Sequence, residues 1–158
     1  MRVLLAGGGT GGHINPALAI ASIIREHDPS AEFLFVGTPN GMEARLVPQA
    51  GYRLETMHVA GFQRKLSWKN VKRNVKAACY LATSQPGARK IVRQFQPDVA
   101  IGTGGYVAGP ILHAAAHLGI PCAIHEQNAF PGVTNKMLSK EVDHVMLTVE
   151  QALQYLHP

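Results

Sequence analysis

Short apolar runs rich in branched residues alternate along the chain with longer segments whose apolar positions recur at helical spacing. The runs predict strands at Val3–Ala6, Phe33–Val36, Leu54–Val59, Val99–Gly102, Cys122–His125 and His144–Val149. Between the first two, Ala17, Leu18, Ile20, Ala21, Ile23 and Ile24 form the buried stripe of a helix beginning just after Gly12. A second helix is predicted from Asn40, where Glu43 completes a capping-box spacing and Pro48 limits the length. Helices at Trp68–Thr83 and Gly87–Gln94 are expected to be separated by Gln85-Pro86-Gly87, and Gly109–Leu118 and Pro131–Ser139 complete the set. Strand and helix in strict alternation predict an α/β fold of Rossmann-like type, a parallel sheet with helices on both faces.

At 158 residues, 46% of them hydrophobic and 16% charged, the chain is long enough for one core and too short for two ordinary domains. No apolar run approaches the roughly 18 residues of a membrane-spanning helix, and Val3–Ala6 meets glycine too soon for a secretory signal. Both features predict a cytoplasmic chain. Cys79 and Cys122 lie in apolar surroundings, outside any Cys-x-x-Cys pair, and are expected to be buried thiols in a reducing compartment. The chain stops at Pro158 as a further helix starts, so residues 1–158 are expected to be one lobe of a larger protein.

The net charge of +5 is local in origin. Between Glu55 and Asp98 there is no acid, while Arg64, Lys65, Lys69, Lys72, Arg73, Lys76, Arg89, Lys90 and Arg93 supply nine of the 15 Lys and Arg residues. Such a field suits phosphates, nucleic acid or an anionic membrane surface.

Three motifs carry candidate chemistry, each placed where a strand gives way to a helix. In Gly7-Gly8-Gly9-Thr10-Gly11-Gly12-His13, successive glycines let backbone N–H groups approach an anion at a helix N-terminus. Gly7, Gly9 and Gly12 satisfy G-x-G-x-x-G, but the second strand ends Val36-Gly37-Thr38-Pro39 without the ribose-binding acid, and no Gly-Lys-Ser/Thr follows for a P-loop. A tight turn without ligand is the plain alternative. The second motif is Gly102-Thr103-Gly104-Gly105-Tyr106-Val107-Ala108-Gly109-Pro110; the third is His125-Glu126-Gln127-Asn128, leading to Gly132 and Asn135. In a parallel sheet all three converge on the crevice outside the strands' carboxyl ends.

His13 at a helix start is expected to favour the neutral imidazole, a proton acceptor near pH 7, unless it merely caps the helix. Glu126 has several open roles: orienting an imidazole, taking a proton, binding a sugar hydroxyl, or lying as a surface acid. His113 and His117 share a helix face, but Ala114 stands where a zinc helix has Glu and the sequence shows no third ligand. They read as helix-surface residues, and no metal site is expected.

Gly8 to His13 with Asn15-Pro16-Ala17, Gly104 to Pro110, and His125 to Asn128 with Gly132 and Asn135-Lys136 together resemble the MurG family of peptidoglycan glycosyltransferases. Gly37-Thr38, Gly41-Met42-Glu43, Leu46-Val47-Pro48 and Pro97-Asp98-Val99 fit as well, so the resemblance spans essentially the whole chain; Ala108 stands where many relatives have Ser. It implies one lobe of a two-lobed GT-B glycosyltransferase, the N-terminal acceptor-binding lobe, with the nucleotide-sugar lobe outside this chain. The implied reaction moves N-acetylglucosamine from UDP-N-acetylglucosamine to the muramoyl 4-hydroxyl of an undecaprenyl-pyrophosphate-linked acceptor by single inverting displacement, without cofactor or metal. By the same resemblance, Gly9, Thr10, Gly11, Gly12, Gly104, Gly105, Tyr106, His125 and Asn135 would line the acceptor pyrophosphate site. Thr10, Gly11, Gly12 and Asn128 would reach the donor, and His13 would be the base, with Glu126 its rival. The 158 residues alone are expected to be inactive.

A lipid-linked acceptor requires a membrane surface, and Phe62–Leu81 offers one. Lys65, Lys69, Lys72 and Lys76 fall along one helical stripe, Arg73 adds charge, and Phe62, Leu66 and Trp68 stand at its start. The expectation is a peripheral protein on the cytoplasmic face of the bacterial inner membrane; a solvated lysine-rich helix is the alternative. Two other functions compete: another nucleotide-sugar enzyme of the same architecture, and a non-catalytic lobe binding a phosphorylated lipid. A nucleic-acid module lacks stacked aromatics or a helix-turn-helix pattern and is not expected.

Overall fold

The computed structural model describes residues 1–58 and 70–156, with the backbone alone for 70–81. Its elements run β1 (Arg2–Gly7), α1 (Gly11–His27), β2 (Glu32–Gly37), α2 (Glu43–Gln49), β3 (Arg53–Thr56), α3 (Asn70–Phe95), β4 (Val99–Gly104), α4 (Ala108–His117), β5 (Cys122–Glu126), α5 (Val133–Leu138) and β6 (His144–Leu147), followed by a 3-10 helix, Glu150–Tyr155. The strands form one sheet in the order β3-β2-β1-β4-β5-β6, with every pairing parallel. This is the Rossmann-like α/β architecture that the alternation predicts.

Period-two alternation decides which core each residue joins. In β1, Leu4 and Ala6 face a layer built with Ala88, Ile91, Val92 and Phe95 of α3 and Ile111, Leu112 and Ala115 of α4. Val3 and Leu5 face the opposite layer, with Ile14, Ala17 and Ala21 of α1, Phe33 and Phe35 of β2, and Val47 of α2. Both sheet faces are therefore covered, which is why the central strands read as unbroken apolar runs. Of the stripe expected on α1, Ile23 departs: it is exposed, because it falls on the solvent side of the helix.

Two sequence expectations are corrected. The break at Gln85-Pro86-Gly87 does not occur: α3 runs through Pro86 to Phe95. An interior proline costs a helix about 3 kcal/mol. Ile91, Val92 and Phe95 are at least 94% buried beyond it. At roughly 1.5–3 kcal/mol for each such side chain, packing outweighs the penalty. The second correction concerns α2, which starts at Glu43 with no side-chain cap. Glu43 turns inward instead and is fully buried. Cys122 is buried as expected, and burial, with Asp143 and Glu141 nearby, pushes its thiol up to about 12. The side chain of Cys79 lies outside the described residues, as do Phe62, Leu66, Trp68 and Lys69 entirely and the side chains of Lys72, Arg73 and Lys76.

Candidate active site

The order in which strands are added reverses between the parallel neighbours β1 and β4: β1 leads through α1 to β2 on one side, while β4 leads through α4 to β5 on the other. Ligands of open parallel sheets bind at such a switch point, outside the strands' carboxyl ends. The first two glycine loops leave the sheet from these two adjacent strands, and the third motif leaves β5 beside them.

A β-bulge prepares the junction. The β1–β4 register passes from Ala6 opposite Gly102 to Gly7 opposite Gly104, so Thr103 has no ladder partner in β1. Thr103 is fully buried, and its polar atoms serve the loops instead of the ladder. Its hydroxyl donates to the His13 carbonyl at 2.7 Å. Its own carbonyl accepts from His13 Nδ1 at 3.1 Å and from Gln127 Nε2 at 2.8 Å. One residue of the second motif thereby ties down the first and the third. Because a carbonyl can only accept, the neutral His13 ring carries its proton on Nδ1 and leaves the Nε2 lone pair for chemistry.

The glycines of the second loop permit this contact. Gly104 and Gly105 have φ of +105° and +86°, and a Cβ on Gly105 would lie 2.5 Å from the Gly8 carbonyl oxygen. On the other flank of the first loop sits Glu43. Its Oε2 accepts from Gly9 N at 2.8 Å, and its Oε1 accepts from Thr38 N and Thr38 Oγ1, each at 2.7 Å. Burial alone would raise its pKa, but these donors together, with the Thr38 and Gly9 N–H groups foremost, pull the carboxyl below its usual value. Gly8, Gly37 and Gly41 surround the carboxylate so closely that a Cβ on any of them would collide with it.

Thr10 precedes α1 in extended conformation, and its side chain does not cap the helix. The N–H groups of Gly11 and Gly12 occupy the first turn of α1, where an α-helix supplies no acceptor of its own and carries a partial positive charge. Gly9, Thr10 and Gly12 are exposed, as is Tyr106 in the second loop.

In the third motif Glu126 is buried and fully engaged. Oε1 accepts from the backbone and side-chain nitrogens of Asn128 at 2.9 and 3.0 Å, and Oε2 from Asn135 Nδ2 at 2.8 Å and Gly132 N at 3.4 Å. Asn135, also buried, spends its amide on Glu126 and on the His125 carbonyl, so it supports the loop from within α5. Asn128 stays exposed at the crevice. His125 sits between Gln127 Nε2 and Thr148 Oγ1, each 3.1 Å from a ring nitrogen. Burial lowers its pKa against the opposing pull of Glu126.

Sequence reasoning found the three motifs but missed Thr103, which joins them, and Glu43, which ties the first loop to the end of β2. The signals were faint: a polar residue inside an apolar strand end, and an acid whose spacing also fits a helix cap.

Comparison with known proteins agrees with this geometry. The sequence model of the glycosyltransferase family 28 N-terminal domain matches residues 3–147. A UDP-N-acetylglucosamine–N-acetylmuramyl-(pentapeptide) pyrophosphoryl-undecaprenol N-acetylglucosamine transferase of Alkaliphilus oremlandii is 51% identical over 98% of this chain, which spans 41% of that protein. The transferase of the same description from Clostridioides difficile is 54% identical over 96% of the chain and 36% of its own length. The crystal structure of Acinetobacter baumannii MurG superposes with a TM-score of 0.78 at 32% identity, covering 99% of this chain and 43% of that one. The chain thus spans about two fifths of the length of these relatives. With its sheet order, its glycine loops and these matches in agreement, the chain belongs to glycosyltransferase family 28, of which it carries the N-terminal domain.

Proposed function

We propose that the chain is the acceptor-binding lobe of an inverting glycosyltransferase. The enzyme would move N-acetylglucosamine from UDP-N-acetylglucosamine to the muramoyl 4-hydroxyl of undecaprenyl-pyrophosphoryl-N-acetylmuramoyl-pentapeptide, a step of peptidoglycan synthesis. The observation that carries this reading is the clamped His13, whose free Nε2 lies where two glycine loops meet at the switch point. Backbone N–H groups of Gly11, Gly12 and the second loop suit a diphosphate, since they donate without the desolvation cost of a lysine side chain. His13 Nε2 takes the proton of the acceptor hydroxyl, that oxygen bonds to the anomeric carbon of the donor, and the bond to UDP breaks with inversion. Glu126 holds Asn128 in place to meet the donor.

The nucleotide-sugar is bound mainly by a C-terminal lobe beyond residue 158, corresponding to the part of the relatives that this chain does not span. Among the described residues no helix is long and apolar enough to cross a membrane. The basic segment around Lys69, Lys72, Arg73 and Lys76 is proposed to dock the protein on the anionic cytoplasmic face of the inner membrane, where the lipid-linked acceptor is met.

Binding and turnover separate this reading from its rivals. The 158-residue chain should bind a soluble pyrophosphate-linked acceptor analogue and leave UDP-N-acetylglucosamine intact, and adding the C-terminal lobe should start transfer. Robust transfer by the chain alone, or no acceptor binding, refutes the assignment.

A further inference from the structure

Away from the crevice, the structure brings to a histidine pair on α4 a carboxylate that the sequence keeps apart from it. His113 and His117 lie one turn apart on α4, with ring centroids 4.0 Å from each other. Glu141, in the turn that leads into β6, places Oε2 at 2.6 Å from His113 Nδ1. One ligand atom from each of the three lies within 4.8 Å of the others. The cluster is at the opposite end of the sheet from the glycine loops. α4 begins at the crevice with Ala108 and ends at His117 before β5 starts, and Glu141 precedes the start of β6.

We propose that His113, His117 and Glu141 form a binding site for a divalent cation of the zinc class, distinct from the acceptor crevice. Two imidazoles and one carboxylate are a donor set that zinc favours, and an i, i+4 pair is the helical spacing that lets two rings reach one ion. His117 is already oriented to ligate, because its Nδ1 donates to the His113 carbonyl at 2.9 Å and so leaves Nε2 as the bare lone pair. A backbone carbonyl fixing the tautomer in this way is the usual support of a metal-bound histidine. The ion takes the place of the proton between His113 and Glu141, and the ring moves that proton to its other nitrogen. Ligand atoms around tetrahedral zinc stand roughly 3.3 Å apart, so the His113–Glu141 pair opens slightly and His117 closes in. His113 is only partly exposed while His117 and Glu141 are open to solvent, so ions can enter and water can fill the fourth position. Bound metal would staple α4 to the α5–β6 turn and stabilise the β5–β6 edge of the sheet.

The proposal is tested by titrating the tag-free, chelator-treated 158-residue chain with Zn²⁺ by calorimetry and with Co²⁺ by visible absorption. One saturable site per chain is expected, with a four-coordinate Co²⁺ spectrum and a rise in Tm at saturating Zn²⁺. His117→Ala and Glu141→Gln should each weaken binding roughly tenfold or more. His27→Ala, on the exposed surface of α1, should leave it unchanged. Circular dichroism of each variant separates lost binding from lost folding. Absence of saturable binding, or binding that persists in the His117→Ala, Glu141→Gln double variant, overturns the proposal. Neither result bears on acceptor binding at the crevice.

Discussion

His13 and Thr103 hold each other through two reciprocal hydrogen bonds: the ring Nδ1 donates to the Thr103 carbonyl at 3.1 Å, and the Thr103 hydroxyl donates back to the His13 carbonyl at 2.7 Å. They are ninety positions apart in sequence. The pair exists because a bulge removes Thr103 from the ladder just where β1 and β4 release their loops.

Thr103→Val keeps the side-chain shape and deletes the hydroxyl that donates to the His13 carbonyl in a part-buried setting. The expected cost is about 1–3 kcal/mol of stability, read by chemical denaturation. In the complete enzyme proposed above, turnover should fall more than acceptor affinity, because the loop still binds but the imidazole is less well oriented. Unchanged stability and turnover would remove the clamp from the mechanism.

Glu43→Gln places an amide where the carboxylate accepts from Gly9 and Thr38. At neutral pH the expected loss is again about 1–3 kcal/mol. The native pKa is depressed below 4.5, so the ionised carboxylate stabilises the fold fully above the unfolded value. That contribution disappears as pH falls through the lower native value. Denaturation curves of wild type and variant should therefore converge on acidification below about pH 4.5. A gap independent of pH would mean that the charge of Glu43 is not what holds the loop.

His13→Ala and Glu126→Gln should differ in kind. Removing the proposed general base in the complete protein should lower kcat by about 10²- to 10⁴-fold. Tm should fall only modestly, since the ring's bond to the Thr103 carbonyl is lost while that carbonyl keeps Gln127 Nε2 as donor. Glu126→Gln leaves N–H donors of Asn128, Asn135 or Gly132 facing an amide, so Tm should drop and donor KM rise. Normal turnover in His13→Ala would remove the base role from His13, and the buried, fully engaged Glu126 could not take it over.

Charge reversal of Lys69, Lys72, Arg73 and Lys76 to Glu should abolish co-sedimentation with anionic vesicles, since each basic residue near such a surface contributes about 1 kcal/mol. Equal binding of the wild type to neutral and anionic vesicles would contradict electrostatic docking.

Features governed by short-range periodicity were legible in the chain before any fold was known. β1 and β2 read as strands because both of their faces are apolar, and α1 as a helix because Ala17, Leu18, Ile20, Ala21 and Ile24 recur at helical spacing. The three motifs were legible because glycine runs, in the first two, and a consecutive polar run, His125 to Asn128, are rare inside packed elements, and strand-helix alternation sets them on one sheet edge. Features that depend on partners distant in sequence emerged only in the folded chain. Pro86 reads locally as a helix breaker, and only the burial of Ile91, Val92 and Phe95 beyond it keeps α3 continuous. Glu43 has the spacing of a cap, yet its buried carboxylate is held by the Gly9 and Thr38 donors, which come from separate parts of the chain, rather than by its own helix start. Neither the bulge that frees Thr103 nor the approach of Glu141 to His113 has a local signature, because each is set by how separate strands and helices register against one another.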